Sequence, residues 1–176
     1  MAFSRAGLSV LVIPRRIAEE LEKKGISLEE AVIDALAKLA EMDPKALAEA
    51  RLELAGRYLE EGRRLIDNDP VQASEKLYKA AEECVKALAV HFNFDGILRK
   101  VEERGRWSAT ELEKAVLRIS ERLGSWFSSA WDQAWTLHVW GFHEAKFDAE
   151  DIKARFPSVE KMVEEANKLV KGQDKD

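Results

Sequence analysis

The chain is expected to form an all-α bundle preceded by a short β-strand and a two-helix appendage. Apolar residues recur three and four apart over most of its length, as one face of a helix requires. A cap residue followed by a first-turn proline occurs twice, at Asp43-Pro44 and Asp69-Pro70. Only Leu8 to Ile13 breaks the helical pattern, with β-branched Val10, Val12 and Ile13 and a stop at Pro14.

After that strand, Arg15 to Lys24 places Ile17, Ala18 and Leu21 on one face and ends at Gly25. Ser27 caps a helix from Leu28 to Met42, with Glu30 completing a capping box. Two long helices follow, Pro44 to Ile66 and Val71 to Phe92, and the DNDP connection between them predicts an antiparallel hairpin. The second has a broad apolar face of Leu77, Ala80, Ala81, Cys84, Val85 and Leu88, which predicts a central helix with several neighbours. A short helix over Ile97 to Glu103 and a helix capped by Ser108, with Glu111 in the capping-box position, lead to a break at Gly124. A tryptophan-rich helix comes next, then a loop from Gly141 to Asp148. The last helix starts at Ala149, and Pro157 is expected to break or restart it. Residues 1–43 thus read as the appendage, 44–171 as the bundle and 172–176 as a frayed tail.

A 46% hydrophobic content supports a real core, and 35% charged residues support a well-solvated surface. The net charge of −5 argues against a protein held to nucleic acid by overall charge, although a local basic patch remains compatible with it. The single cysteine, Cys84, leaves no intramolecular disulfide and reads as a buried inert thiol. No apolar run reaches the roughly 20 residues that span a bilayer, and LSVLVIP is too short for a signal-peptide core. A cytoplasmic protein without membrane contact is the expectation. Scarce Asn and Gln beside abundant Glu, Lys and Arg suit a thermophile.

The chemistry concentrates in WFSSAWDQAWTLHVWGFHE, Trp126 to Glu144, which holds four of five tryptophans and two of three histidines. Trp131, Trp135, His138 and Phe142 fall on one helical stripe. His138 and His143 are candidates for general base and acid, because imidazole is the side-chain type that titrates nearest neutral pH. Five residues apart, they point about 140° from one another on an α-helix, so a turn at Gly141 or a symmetry mate would have to bring them together. The alternative is a hydrogen-bonded core histidine at 138 and a loop residue at 143 bound to Glu144 or a carbonyl. The tryptophans likewise read either as core and dimer contact or as stacking platforms for bases.

QASEKLYKAAEECVKAL, Gln72 to Leu88, together with LHVWGFHE, Leu137 to Glu144, resembles the archaeal PaREP family of small proteins, and the likeness extends to IPRRIAEELEKKGISLEE. The first segment also resembles the central helix of HEPN domains, a likeness covering Pro44 to Val170. The resemblance implies an up-and-down, HEPN-like bundle, commonly a homodimer, in a superfamily associated with RNA cleavage and toxin systems. Its ribonucleases use an arginine followed four to six residues later by a histidine. Here His138 stands where the arginine is expected, and it lacks the guanidinium's fixed charge and bidentate grip on phosphate. Ribonuclease activity therefore does not follow from the resemblance alone.

The catalytic candidates are His138, His143 and Glu144. Ligand-binding candidates are Trp140 and the basic cluster Arg99, Lys100, Arg104 and Arg106 beside Trp107. No metal or cofactor is expected, since His-x4-His-Glu is not the i, i+4 pair that converges on zinc. The strand and two helices invite comparison with ribbon-helix-helix DNA binders, but LSVLVIP offers chiefly Ser9 outward, so sequence-specific DNA binding is not expected. A lone strand needs a partner for its backbone groups, which predicts pairing between subunits. The functional expectation is a homodimer associating with a nucleotide or RNA, and the alternative is a non-catalytic protein-protein interaction or scaffolding module.

Overall fold

The computed structural model describes residues 10–172, which divide between Met42 and Asp43 into two compact units. In the first, α1 (Arg15–Lys23) and α2 (Leu28–Leu39) are joined by a turn at Gly25. The Ser27 side chain accepts from the Glu30 N–H at 3.5 Å, so the expected cap forms. Of its described residues only Ala37 is buried, while Val10, Leu11, Val12, Ile17, Leu36 and Leu39 are exposed.

The expected N-terminal strand does not form: Val10 to Pro14 adopt no regular element, and Leu8 and Ser9 lie outside the described residues. The reason is backbone pairing. No other strand is present among the described residues, so β-branched composition has no ladder to join.

The second unit is helical throughout: α3 (Pro44–Leu65), α4 (Pro70–His91), α5 (Asp95–Arg104), α6 (Ala109–Leu123), α7 (Trp126–Thr136), a π-helical segment (Leu137–His143) and α8 (Ala149–Lys171). Asp43 and Asp69 each cap their helix, accepting from the N–H of Ala46 and Gln72, with proline in the first turn. Helix α4 is central and packs against every other helix of the unit as well as the π segment. Its burial explains that position, because Ala73, Leu77, Ala80, Ala81, Cys84, Val85, Ala87 and Leu88 are all sealed. A helix apolar around most of its circumference has to be surrounded.

Two local expectations are revised. Ser108 does not cap α6; its hydroxyl turns to the Glu111 carboxylate, which Arg104 also holds at 2.9 Å. A carboxylate fixed by an arginine is the stronger acceptor. Pro157 sits inside a continuous α8, capped by Asp148 and Asp151 in a capping box. Ile152, Phe156, Val159 and Met162 are buried on both sides of the proline, and their packing outweighs the lost hydrogen bond. Gly124, with φ +98°, separates α6 from α7 as its conformational freedom allows.

Candidate functional site

Helix α7 does not end at the histidines but widens into the π-helical segment. In a π-helix hydrogen bonds run from each residue to the fifth one back, and the Glu144 N–H to Val139 carbonyl bond, at 2.9 Å, closes such a turn. Residues five apart are thereby brought one above the other. His143 Nε2 stands 3.1 Å from His138 Nε2, with the two rings edge to face at 4.4 Å between centroids.

The segment widens where it meets α4. A Cβ built on Gly141 would meet the Ser74 Cβ at 2.6 Å and its Oγ closer still. Ser74 cannot easily yield, being fully buried with its hydroxyl donating to the Pro70 carbonyl at 2.9 Å. Glycine at 141 is thus what lets the π segment lie against α4.

That approach sets His138 beside Glu75. His138 Nδ1 is 3.1 Å from Glu75 Oε2, and both side chains are mostly buried, at 20% and 16% exposure. With a carboxylate at Nδ1, the histidine donates its Nδ1 proton there and presents Nε2 to His143. The result is a carboxylate–imidazole–imidazole chain that runs from the half-buried face of α4 to the exposed ring of His143. His143 Nδ1 is the imidazole nitrogen not engaged within the chain.

Aromatic rings fix the geometry. Tyr78, one turn beyond Glu75, stacks on His138 at 4.0 Å, and Trp135 and Phe142 lie at 5.6 and 6.1 Å from it. The predicted stripe exists, with Trp131 as its buried end, and the Trp131 indole donates to Glu113 Oε1 at 2.7 Å. Burial, reinforced by the charges of Glu82, Glu75 and Glu113, holds the Tyr78 phenol well above its ordinary pKa, so it stays neutral against the imidazole.

The other predicted residues separate from this group. Glu144 follows the π turn and is exposed, and Trp140 is 51% exposed. Arg99 pairs with Asp95 and Arg104 with Glu111. Lys100 and Arg106 are exposed in the same stretch. This stretch begins beyond the far end of α4, and about 24 Å of helix rise separates Glu75 from His91. Cys84 is fully buried, and that burial raises its pKa, as suits an inert thiol. Among the described residues no group of three or more His, Cys, Asp or Glu side chains is placed to hold a metal ion. None of their helices is long and apolar enough to cross a membrane.

Glu75 and Tyr78 escape a reading of the sequence. Each is one more residue of an amphipathic helix until the π segment is laid on them. A second charged group on α4 escapes it too: Arg51 Nη1 meets Glu83 Oε2 at 2.9 Å, and Lys86 Nζ meets Glu82 at 2.7 Å and Glu83 at 3.2 Å. Arg51, Glu83 and Lys86 are at most 3% exposed. Burial raises the pKa of Glu82 to about 8 and lowers that of Lys86.

Residues 50–163 match the archaeal PaREP1/PaREP8 family. Among solved structures the chain is similar to the crystal structure of a Sulfolobus solfataricus protein. That match has 38% identity and a TM-score of 0.59, covering 64% of this chain and 92% of the other. It is also similar to the solution structure of the Orf c02003 protein, at 38% identity and a TM-score of 0.57, covering 64% and 88%. No curated protein matches. A match over well more than half the chain, across the very helices that carry Glu75 and the two histidines, places this protein in the archaeal PaREP1/PaREP8 family.

Proposed function

We propose that this chain is a HEPN-like RNA-binding protein whose Glu75, His138 and His143 form an acid–base site acting on an RNA phosphodiester. The single observation behind this reading is the 3.1 Å contact between the two imidazoles, with a carboxylate 3.1 Å behind the inner one. His143 Nδ1 accepts the proton of a ribose 2′-hydroxyl. Its Nε2 proton passes to His138 Nε2, and the positive charge comes to rest beside Glu75. The 2′-oxygen then forms its bond to phosphorus as the 5′-oxygen departs, and the departing oxygen takes the Nδ1 proton of His143 while the relayed proton returns from His138 Nε2 to His143 Nε2. A positioned group of this kind contributes about 10²- to 10⁴-fold in rate. The guanidinium expected from the HEPN likeness is absent at position 138, and the relay replaces it with proton transfer instead of a fixed charge. Trp140, exposed beside His143 in sequence, is assigned to base stacking, and Glu144 to the rim of the site. Association as a homodimer is part of this reading, supported by the apolar side chains that the first unit leaves exposed.

The test is cleavage of a defined single-stranded RNA by purified protein and by His143→Ala. Loss of about 10²-fold or more with unchanged binding supports the site, and equal cleavage by both proteins removes it. A non-catalytic interaction module is the second reading. Exposure of Trp140, Trp135 and Leu117 on the surface of the second unit favours it. RNA that is neither bound nor cut would leave that reading in place.

A further inference from the structure

On the other flank of Glu75, three cations crowd one aromatic ring. The buried Tyr58 ring of α3 has Arg57 Cζ at 5.1 Å, Lys76 Nζ at 5.2 Å and Lys79 Nζ at 5.7 Å from its centroid. One carboxylate, Glu61, serves two of them, lying 3.4 Å from Arg57 and 2.8 Å from Lys76. Lys79 has no ion pair among the described residues. Arg57 and Lys76 are 28% and 26% exposed, wet enough to be reached yet less screened than a free surface charge.

Placement makes this more than a solvated face. Lys79 follows Glu75 by four residues on α4, so their Cβ atoms lie about 5–6 Å apart on one side of the helix. Glu75 in turn touches His138. The cations therefore border the relay, whose own members carry no fixed positive charge. Glu82, the next carboxylate along this face, is kept protonated towards pH 8 by its burial and cancels little of the Lys79 charge at neutral pH.

We propose that Lys76 and Lys79, with Arg57, form an anion subsite that holds a backbone phosphate of the RNA strand next to the bond presented to His143. This rests on the acid–base reading of the histidine pair and adds the phosphate grip that reading lacks. Lysines suit the task as compact point charges.

The experiment measures binding of a fluorescein-labelled single-stranded RNA oligonucleotide by anisotropy over a salt series. It uses the full chain, the double variant Lys76→Gln/Lys79→Gln, the conservative Lys76→Arg/Lys79→Arg, and a control, Lys168→Gln/Lys171→Gln, on exposed positions of α8. Losing two phosphate contacts lowers the slope of log affinity against log salt by about 1.4 and weakens binding at low salt at least tenfold. The arginine variant retains the wild-type slope. An unchanged slope in the glutamine variant, an equal drop in the α8 control, or no RNA binding by the wild type overturns the subsite. The two readings separate cleanly. Lysine-dependent binding without any cleavage keeps the subsite and discards the acid–base site, whereas cleavage with an unaltered KM in the glutamine variant does the reverse.

Discussion

Helix α4 carries two charged networks that differ in one respect. Arg51, Glu83 and Lys86 are sealed between helices, whereas the chain from Glu75 through His138 ends on an exposed imidazole with a nitrogen to spare. Perturbed titration marks this group, at Glu82 and Lys86, although only the Glu82 carboxylate reaches its edge, at 18% exposure, and it is held there by Lys86 at 2.7 Å. Perturbation alone thus does not mark chemistry; an atom that can reach a substrate is also required. One network specifies the core and the other is available for reaction.

The contrast breaks most directly by removing one member of each. Glu83→Ala removes the carboxylate shared by buried Arg51 and Lys86, and is expected to cost about 3–5 kcal/mol in urea unfolding. Glu75→Ala removes one half-buried hydrogen bond, and is expected to cost about 1 kcal/mol. Equal losses would erase the distinction between core and site.

A smaller effect sharpens the role of the π segment. Gly141→Ala pushes against Ser74, costs about 1–3 kcal/mol and separates the two imidazoles. Imidazole nitrogen NMR reads this as loss of the Nε2 contact. Adding Ser74→Gly, which removes the opposing Cβ and Oγ, restores the contact. A double variant that still lacks it would show that the π turn is set by something other than this approach.

A pH dependence tests the buried network by itself. Folding raises the Glu82 pKa from its ordinary value to about 8, so between about pH 4.5 and 8 the folded state binds more protons than the unfolded one. The associated stability is fully present below that window and is lost as pH rises through it. Lys86, lowered by burial, acts in the opposite sense on its alkaline side. The stability difference between the wild type and Glu82→Gln should shift by about 3–4 kcal/mol from pH 5 to pH 8. A constant difference would mean that Glu82 is solvated in the folded protein.

Several features are legible in sequence because they are local. Asp43-Pro44 and Asp69-Pro70 start helices wherever they occur, Asp148 caps its helix through the next few N–H groups, and the apolar face of α4 announces its central position. Others fail because a remote contact overrides the local signal. Val10 to Ile13 have the composition of a strand and no ladder to join. Pro157 has the character of a helix breaker and is carried by buried neighbours. The histidine spacing reads as divergent on an α-helix and becomes convergent once the turn widens by one residue.

The sequence by itself determined most of the helices, the caps at Ser27, Asp43, Asp69 and Asp148, the aromatic stripe and the two histidines, since each depends on residues within a few positions of one another. Tertiary structure alone decided that those histidines touch and that Glu75 stands behind them. Both outcomes depend on how closely two helix backbones approach at Gly141 and Ser74, a distance set by packing between segments more than sixty residues apart in the chain.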